Sequence, residues 1–278
     1  MMTENSLPPE FHFQDLIFLK LGGSLITDKT QPHTPRLDVL TRLAGEIAKA
    51  WNEHPGMHLV LGHGSGSFGH IPGKQFGTRQ GVRTPEQWRG FVEVWREAQA
   101  LNRLVMDILT QAGLPAIAFS PFASVIARDA QVERWDLTGI ISVLQAGLLP
   151  VIFGDAIIDT ERGGTILSTE DLFAFLAPRL CPKRLLLAGI EPGVWADFPT
   201  CSRLLDQITP ASMVGFKSSL AGSSAPDVTG GMASKVNHSL ELVKRVPGIQ
   251  VLIFSATQPQ ALSRVLRGEQ LGTLIHTD

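Results

Sequence analysis

The first strong pattern in the chain is Leu16-Ile17-Phe18-Leu19-Lys20-Leu21, five apolar residues in six. A nearly unbroken apolar run of this length predicts a strand covered on both faces, as in a parallel sheet. Gly22-Gly23-Ser24 ends it. Leu37, Leu40, Leu43, Ile47 and Ala48 then recur mostly three and four apart, which predicts a helix with one buried stripe. Leu59-Val60-Leu61 predicts a second strand, and the glycine-rich stretch from Gly62 to His70 breaks it. A long helix is expected from Pro85 to Gln111, stopped by Gly113-Leu114-Pro115. Ala116 to Phe119 reads as a strand, Ile140 to Ala146 as a helix and Leu149 to Phe153 as a strand.

The second half repeats the alternation. Ile157-Ile158 and Thr165-Ile166-Leu167 flank a polar turn and predict a hairpin from Asp155. A helix is expected over Asp171 to Leu180, a strand over Arg184 to Leu187 and a helix over Thr229 to Lys244. A strand over Val251 to Phe254 and a short helix over Pro259 to Leu266 follow. Lys217 to Ser224 has little to bury and reads as a loop. Strand–helix alternation of this kind predicts an α/β fold, a mostly parallel sheet with helices on both faces. Ligands of such folds bind beyond the carboxyl ends of the strands, where the glycine stretches of this chain fall.

Composition narrows the class. Of 278 residues, 44% are hydrophobic and 18% charged, the balance of a packed globular protein rather than a disordered one. The formal net charge is −2 and no long basic run occurs, which disfavours a nucleic-acid or membrane-surface role. Cys181 and Cys201 stand in no metal-ligand spacing and are too few for a disulfide framework. No apolar run reaches the roughly 18 residues of a membrane helix. Met1 to Gln14 lacks a basic start followed by an apolar core, so a cytoplasmic protein is expected.

Four stretches carry candidate chemistry. Lys20-Leu21-Gly22-Gly23-Ser24 sets a point charge beside bare backbone amides at a strand end, a combination that binds phosphate. It is no Walker A loop, and a glycine turn with an incidental lysine explains it as well. Gly62-His63-Gly64-Ser65-Gly66-Ser67-Phe68-Gly69-His70 has more glycines than a plain turn needs, although His70 also reads as a surface residue. Asp227-Val228-Thr229-Gly230-Gly231-Met232-Ala233-Ser234-Lys235 puts glycines ahead of a helix and a lysine one turn in; an ordinary helix cap is the alternative. Ser168-Thr169-Glu170-Asp171 reads either as a cap with first-turn acids or as a carboxylate that holds lysines.

Taken together and in this order, KLGGSLITDK (Lys20 to Lys29), GHGSGSFGH (Gly62 to His70), FGD (Phe153 to Asp155), LSTED (Leu167 to Asp171) and DVTGGMASK (Asp227 to Lys235) resemble the amino acid kinase superfamily. Within it they are similar to the isopentenyl phosphate kinase family. The resemblance spans about residues 16–240, and Gly272-Thr273 also fits. It implies a three-layer αβα sandwich, with an acceptor-binding lobe over about residues 15–153 and an ATP-binding lobe over about 154–278. It implies ATP-dependent phosphorylation of isopentenyl phosphate, with Mg²⁺ held mainly by the nucleotide phosphates, and commonly a homodimer.

Residue by residue, the resemblance implies that Lys20 and Lys235 bind ATP phosphates and that Asp171 positions both lysines. It implies a phosphate cradle of Gly22, Gly23 and Ser24 with Gly230 and Gly231 opposite, and a further cation in Lys29. Gly64, Ser65 and Gly154 would line the acceptor's phosphate site, and His70 would donate a hydrogen bond to that phosphate. Two departures stand out. Ser65 interrupts the usual glycine run, and Ala188-Gly189-Ile190-Glu191-Pro192-Gly193-Val194 replaces an aspartate-containing turn near the nucleotide.

An isoprenoid tail needs an apolar pocket. Trp88, Phe91 and Trp95 share one helix face by their spacing of three and four, as a pocket wall or as plain core. Other superfamily kinases, acting on a phosphonate or a carboxylate, remain alternatives. So does a non-catalytic nucleotide-binding regulator, against which the joint presence of Lys20, Asp171 and Lys235 argues.

Overall fold

The computed structural model describes residues 13–215 and 231–277, with the side chains of His70, Ile71 and Val214 outside that description. The expected loop at Lys217 to Ser224, the Asp227-to-Gly230 part of the last glycine motif, and Met1 to His12 also lie outside it.

The first half runs β1 (Ile17–Leu21), α1 (Gly23–Ile26), α2 (Leu37–Glu53), β2 (Leu59–His63) and α3 (Gly66–Gln75). A 3₁₀ turn, Thr78–Gln80, leads to α4 (Pro85–Gln111), β3 (Ala116–Phe119) and α5 (Pro121–Ser124). Then come β4 (Val125–Arg128), β5 (Gln131–Trp135), α6 (Thr138–Gln145) and β6 (Leu149–Phe153). The second half has β7 (Asp155–Asp159), β8 (Gly163–Leu167), α7 (Thr169–Leu180) and β9 (Arg184–Gly189). Short strands β10 (Val194–Trp195), β11 (Leu204–Leu205) and β12 (Gln207–Ile208) follow. The chain closes with α8 (Gly231–Arg245), β13 (Gln250–Ser255), α9 (Ala261–Leu266) and β14 (Thr273–Ile275).

The main sheet has the order β12-β14-β13-β9-β1-β2-β6-β3 and is parallel except at β13–β14. Alternate residues of each central strand feed opposite faces. Phe18, Val60, Ile152, Leu185, Leu187 and Ile253 belong to one core with residues of α6, α7 and α8. Leu19, Leu61, Val151, Leu186 and Phe254 belong to another with residues of α2, α4 and α9. The result is the three-layer αβα sandwich that the alternation and the resemblance lead one to expect.

Three elements depart from the sequence reading. The glycine-rich stretch after β2 does not stay a turn: from Gly66 it winds into α3. Val125 to Trp135 forms a hairpin, β4–β5, which joins the predicted β7–β8 hairpin in a second sheet of order β5-β4-β7-β8. This sheet draws strands from both sides of the lobe boundary drawn near residue 153. Short strands β10, β11, β12 and β14 were likewise not predicted.

Candidate active site

Parallel register lines up the ends of the central strands. Ile253, Leu187, Lys20, Gly62 and Ile152 lie side by side on β13, β9, β1, β2 and β6. Lys20 is two residues from Phe18 and so shares its face, the one covered by α7 and α8. Gly62 beside it is bare for a reason: a Cβ there would sit 2.4 Å from Thr169 Cγ2 and 2.8 Å from Phe173 Cζ. The absent side chain lets the start of α7 press onto the sheet next to Lys20.

The two N-terminal glycine motifs meet backbone to backbone. A Cβ on Gly23 would lie 2.5 Å from Gly66 N, and one on Gly64 would lie 2.9 Å from Gly23 N. Thr27 fastens this contact: its hydroxyl donates to Gly23 O (2.8 Å) and accepts from Ser67 N–H (2.9 Å). Ser65, between the glycines, has φ −78° and ψ −15°, ordinary helical values that cost a side chain nothing. The serine in the glycine run is therefore accommodated. His63, in the same motif, stays with the core: its ring is buried and stacks on Phe153, its register partner, at 5.4 Å. Burial pushes its pKa below the usual histidine value.

These loops form one wall of a cavity at the carboxyl end of the sheet. Lys20, Gly22, Gly23, Ser24, Lys29, Gly64, Ser65, Gly154 and Lys235 all line it. One arm lies on the β2–β6 side, against Gly69, Gly73, Arg79 and Ile166. The other lies on the β9–β13 side, against Ile190, Glu191, Met232 and Phe254. The divergent stretch Ala188 to Glu191 thus faces the cavity, and Glu191 Oε2 accepts from Trp195 Nε1–H at 3.4 Å. Gly231, with φ +64°, is buried at the start of α8 but is not in the cavity wall; Gly230 lies outside the described residues. The backbone of His70 lies on α3.

The carboxylate that meets Lys20 is Glu170, not Asp171. Glu170 forms an ion pair with Lys20, both nearly buried. Burial works to raise the Glu170 carboxyl, but the Lys20 ammonium and, more weakly, Lys235 outweigh it and hold the pKa below the usual range. Asp171 turns back instead. Its Oδ2 accepts from Ser168 N–H and Ser168 Oγ–H, both at 2.8 Å, as the N3 member of a capping box. The same oxygen accepts from Arg79 Nη2–H at 3.2 Å. The expectation that Asp171 holds the lysines is corrected on this geometry: the helix projects residue N2 toward Lys20 and folds residue N3 onto its own cap. Arg79 and Thr27 were not singled out from the sequence at all. The cap spacing Ser168-x-x-Asp171 was the available signal that left Glu170 as the outward carboxylate.

Among the described residues no group of three or more His, Cys, Asp or Glu side chains could hold a metal ion. Glu170 is engaged by Lys20. No described helix is long and apolar enough to cross a membrane.

Trp88, Phe91 and Trp95 do not line this cavity. Phe91 is buried in a small cluster with Val82, Val94 and Ala156, against which Trp95 and Ile166 pack. Trp88 and Phe122 flank the cluster, each 38% exposed. Ile166 is the link between this aromatic cluster and the cavity.

Comparison with known proteins agrees with this geometry. Residues 15–255 match the amino acid kinase family. The isopentenyl phosphate kinase of Methanothermobacter thermautotrophicus is 34% identical, covering 94% of this chain and 98% of that protein. The one from Methanocaldococcus jannaschii is 30% identical over the same shares. A solved structure described as isopentenyl phosphate kinase superposes with a TM-score of 0.79 at 31% identity, covering 94% of this chain and 99% of that one. The chain belongs to the amino acid kinase family and, within it, to the isopentenyl phosphate kinases.

Proposed function

We propose that this chain transfers the γ-phosphoryl group of ATP to isopentenyl phosphate, giving isopentenyl diphosphate and ADP. The observation that carries the proposal is one cavity in which Lys20, paired with Glu170, meets Lys235 and two touching glycine loops. Relatives of this length and identity named as isopentenyl phosphate kinases support the choice of acceptor.

An acceptor phosphate oxygen attacks the γ-phosphorus. The new P–O bond forms as the bond to the β,γ-bridging oxygen breaks, and ADP leaves with that electron pair. Little covalent chemistry falls to the protein, so its work is placement and charge stabilisation. Lys20 and Lys235 neutralise charge on the transferring group, and Glu170 orients them. The backbone amides of Gly23 and Ser24 cradle phosphate beside Gly22, whose own N–H is donated to Ala188 O at 2.8 Å. Lys29 adds a cation from the loop after α1. Gly64, Ser65 and Gly154 border the acceptor's phosphate, to which His70 on α3 donates. The lobe up to about residue 153 receives the acceptor, and the lobe from about 154 the nucleotide. Mg²⁺, where bound, supplies charge neutralisation between nucleotide phosphates.

We infer a cytoplasmic homodimer, with the exposed apolar Val92 on α4 and Ile117 on edge strand β3 as candidate contacts. The test of the activity is ATP consumption with isopentenyl phosphate, a phosphonate and N-acetylglutamate offered in parallel. Turnover confined to isopentenyl phosphate is expected. Preference for either of the others selects a different superfamily activity, and no turnover with any selects a nucleotide-binding regulator.

A further inference from the structure

Asp171 is the neighbour of Glu170 in sequence, yet it answers a different cation. A capping box needs only the reciprocal pair, Ser168 N–H to the Asp171 carboxylate and Asp171 N–H to Ser168 Oγ. A further bond to the same carboxylate, from Arg79, brings an arginine from the 3₁₀ turn after α3 to the start of α7. Arg79 is fixed at both ends. Its carbonyl oxygen accepts from Arg162 Nη1–H and Thr165 Oγ1–H, each at 3.1 Å, which pins its backbone to β8. Its side chain is 26% exposed and lines the cavity on the arm that also holds Gly69, Gly73 and Ile166.

A strap between two elements does not require a guanidinium in the wall of a phosphate-type cavity. A guanidinium has five N–H donors, and among the described residues Asp171 is the acceptor its side chain engages. Its planar fork matches two oxygens of a phosphate in a way that a lysine cannot. Lys20 and Lys235 come from β1 and α8. Arg79 comes from the 3₁₀ turn that packs against α3 and β8, and it lines the same cavity as Gly64, Ser65 and Gly154. Its ion pair with Asp171 fixes the guanidinium at the cavity wall and uses only part of its donor set among the described residues.

We infer that Arg79 is a further acceptor-binding residue, engaging the acceptor's phosphate with its guanidinium, and that Asp171 is the positioning residue that aims it. The inference rests on the reading of the acceptor as a monophosphate. It assigns Asp171 a role on the acceptor side of the cavity, separate from the Glu170–lysine group.

The test is steady-state kinetics of the whole chain, varying isopentenyl phosphate and ATP separately, for the parent, Arg79→Ala, Arg79→Lys and Asp171→Asn. A lost hydrogen-bonded charge contact predicts a rise in acceptor KM of about ten- to a hundredfold for Arg79→Ala, with ATP KM within about twofold. Arg79→Lys keeps the charge without the fork and recovers part of the loss. Asp171→Asn shifts acceptor KM in the same direction by less, and adds nothing when combined with Arg79→Ala. Parent-like acceptor KM in Arg79→Ala overturns the inference. So does an equal rise in both KM values with a lowered melting temperature, which marks a strap. Should Arg79→Ala fail to fold, Arg79→Lys decides: raised acceptor KM alone supports the inference and a parent-like value overturns it. A parent that does not use isopentenyl phosphate overturns the acceptor assignment and this inference together, whereas a working parent with an indifferent Arg79→Ala overturns this inference alone.

Discussion

Glu170 and Lys20 form a nearly buried pair at the centre of the cavity, and each depends on the other. Replacing Glu170 by Gln leaves Lys20 charged but unanchored. The expected result is a loss of about a hundredfold or more in kcat with a small change in ATP KM, because orientation of the lysines is what disappears. Lys20→Ala and Lys235→Ala should each cost a similar factor, about 3 kcal/mol of transition-state stabilisation. Kinetics on variants whose circular dichroism matches the parent decide it; a Glu170→Gln enzyme with parent-like kcat removes Glu170 from the mechanism. The lysines were legible in the sequence because each follows or precedes glycines. Which of two adjacent acids serves them was not, because that depends on how the first turn of α7 points its side chains.

At the scale of elements, the glycines report contacts more than turns. Gly62→Ala would drive a methyl into Thr169 and Phe173 and push α7 away from Lys20. Overpacking of this kind costs about 1–3 kcal/mol, and activity should fall further than stability, since α7 carries Glu170. Thermal melts alongside kcat measure both. Phe91→Ala should destabilise by about 3–5 kcal/mol, as expected for a fully packed aromatic. Trp88→Ala, at a half-exposed site, should cost far less. Comparable losses at the two sites would refute this division of the aromatic stripe.

Asp155 ties the same region together. Its Oδ2 accepts from Gln99 Nε2–H, Ser120 Oγ–H and Phe122 N–H, and its Oδ1 from Ala156 N–H. Burial nevertheless raises its pKa to about 7. A carboxyl that binds its proton more tightly folded than unfolded contributes stability at low pH that is lost as pH rises toward 7. The melting temperature of the parent should therefore fall more steeply from about pH 5 to about pH 8 than that of Asp155→Asn. Equal slopes would contradict that burial effect. The long elements around this site were legible: the helix expected over about Pro85 to Gln111 forms there, its end marked by Gly113-Leu114-Pro115, and Thr84 caps its start. The β4–β5 hairpin escaped because β5 is mostly exposed and polar, and its turn is held from afar by Asp159, which accepts from Asp129 and Ala130 N–H. α3 escaped because glycines and Pro72 mask its period.

Across the whole molecule, the sheet order brings β1 between β9 and β2, so the motifs of the two halves converge at one edge although more than two hundred residues separate Lys20 from Lys235. The order of motifs announced that convergence; the sequence alone did not show that Ala188 to Glu191 still faces the cavity. If the exposed Val92 and Ile117 pack against a second copy, Val92→Glu with Ile117→Lys should convert a dimer to a monomer in light scattering. A parent that is already monomeric contradicts the dimer. The central claim is that this cavity moves a phosphoryl group between two phosphate-bearing molecules. It is tested most directly by ³¹P NMR of the chain with ATP, Mg²⁺ and isopentenyl phosphate. The account predicts that the ATP γ resonance and the monophosphate resonance decay together, while two coupled resonances of isopentenyl diphosphate grow in step with ADP. ADP accompanied only by inorganic phosphate, with the monophosphate untouched, would contradict it.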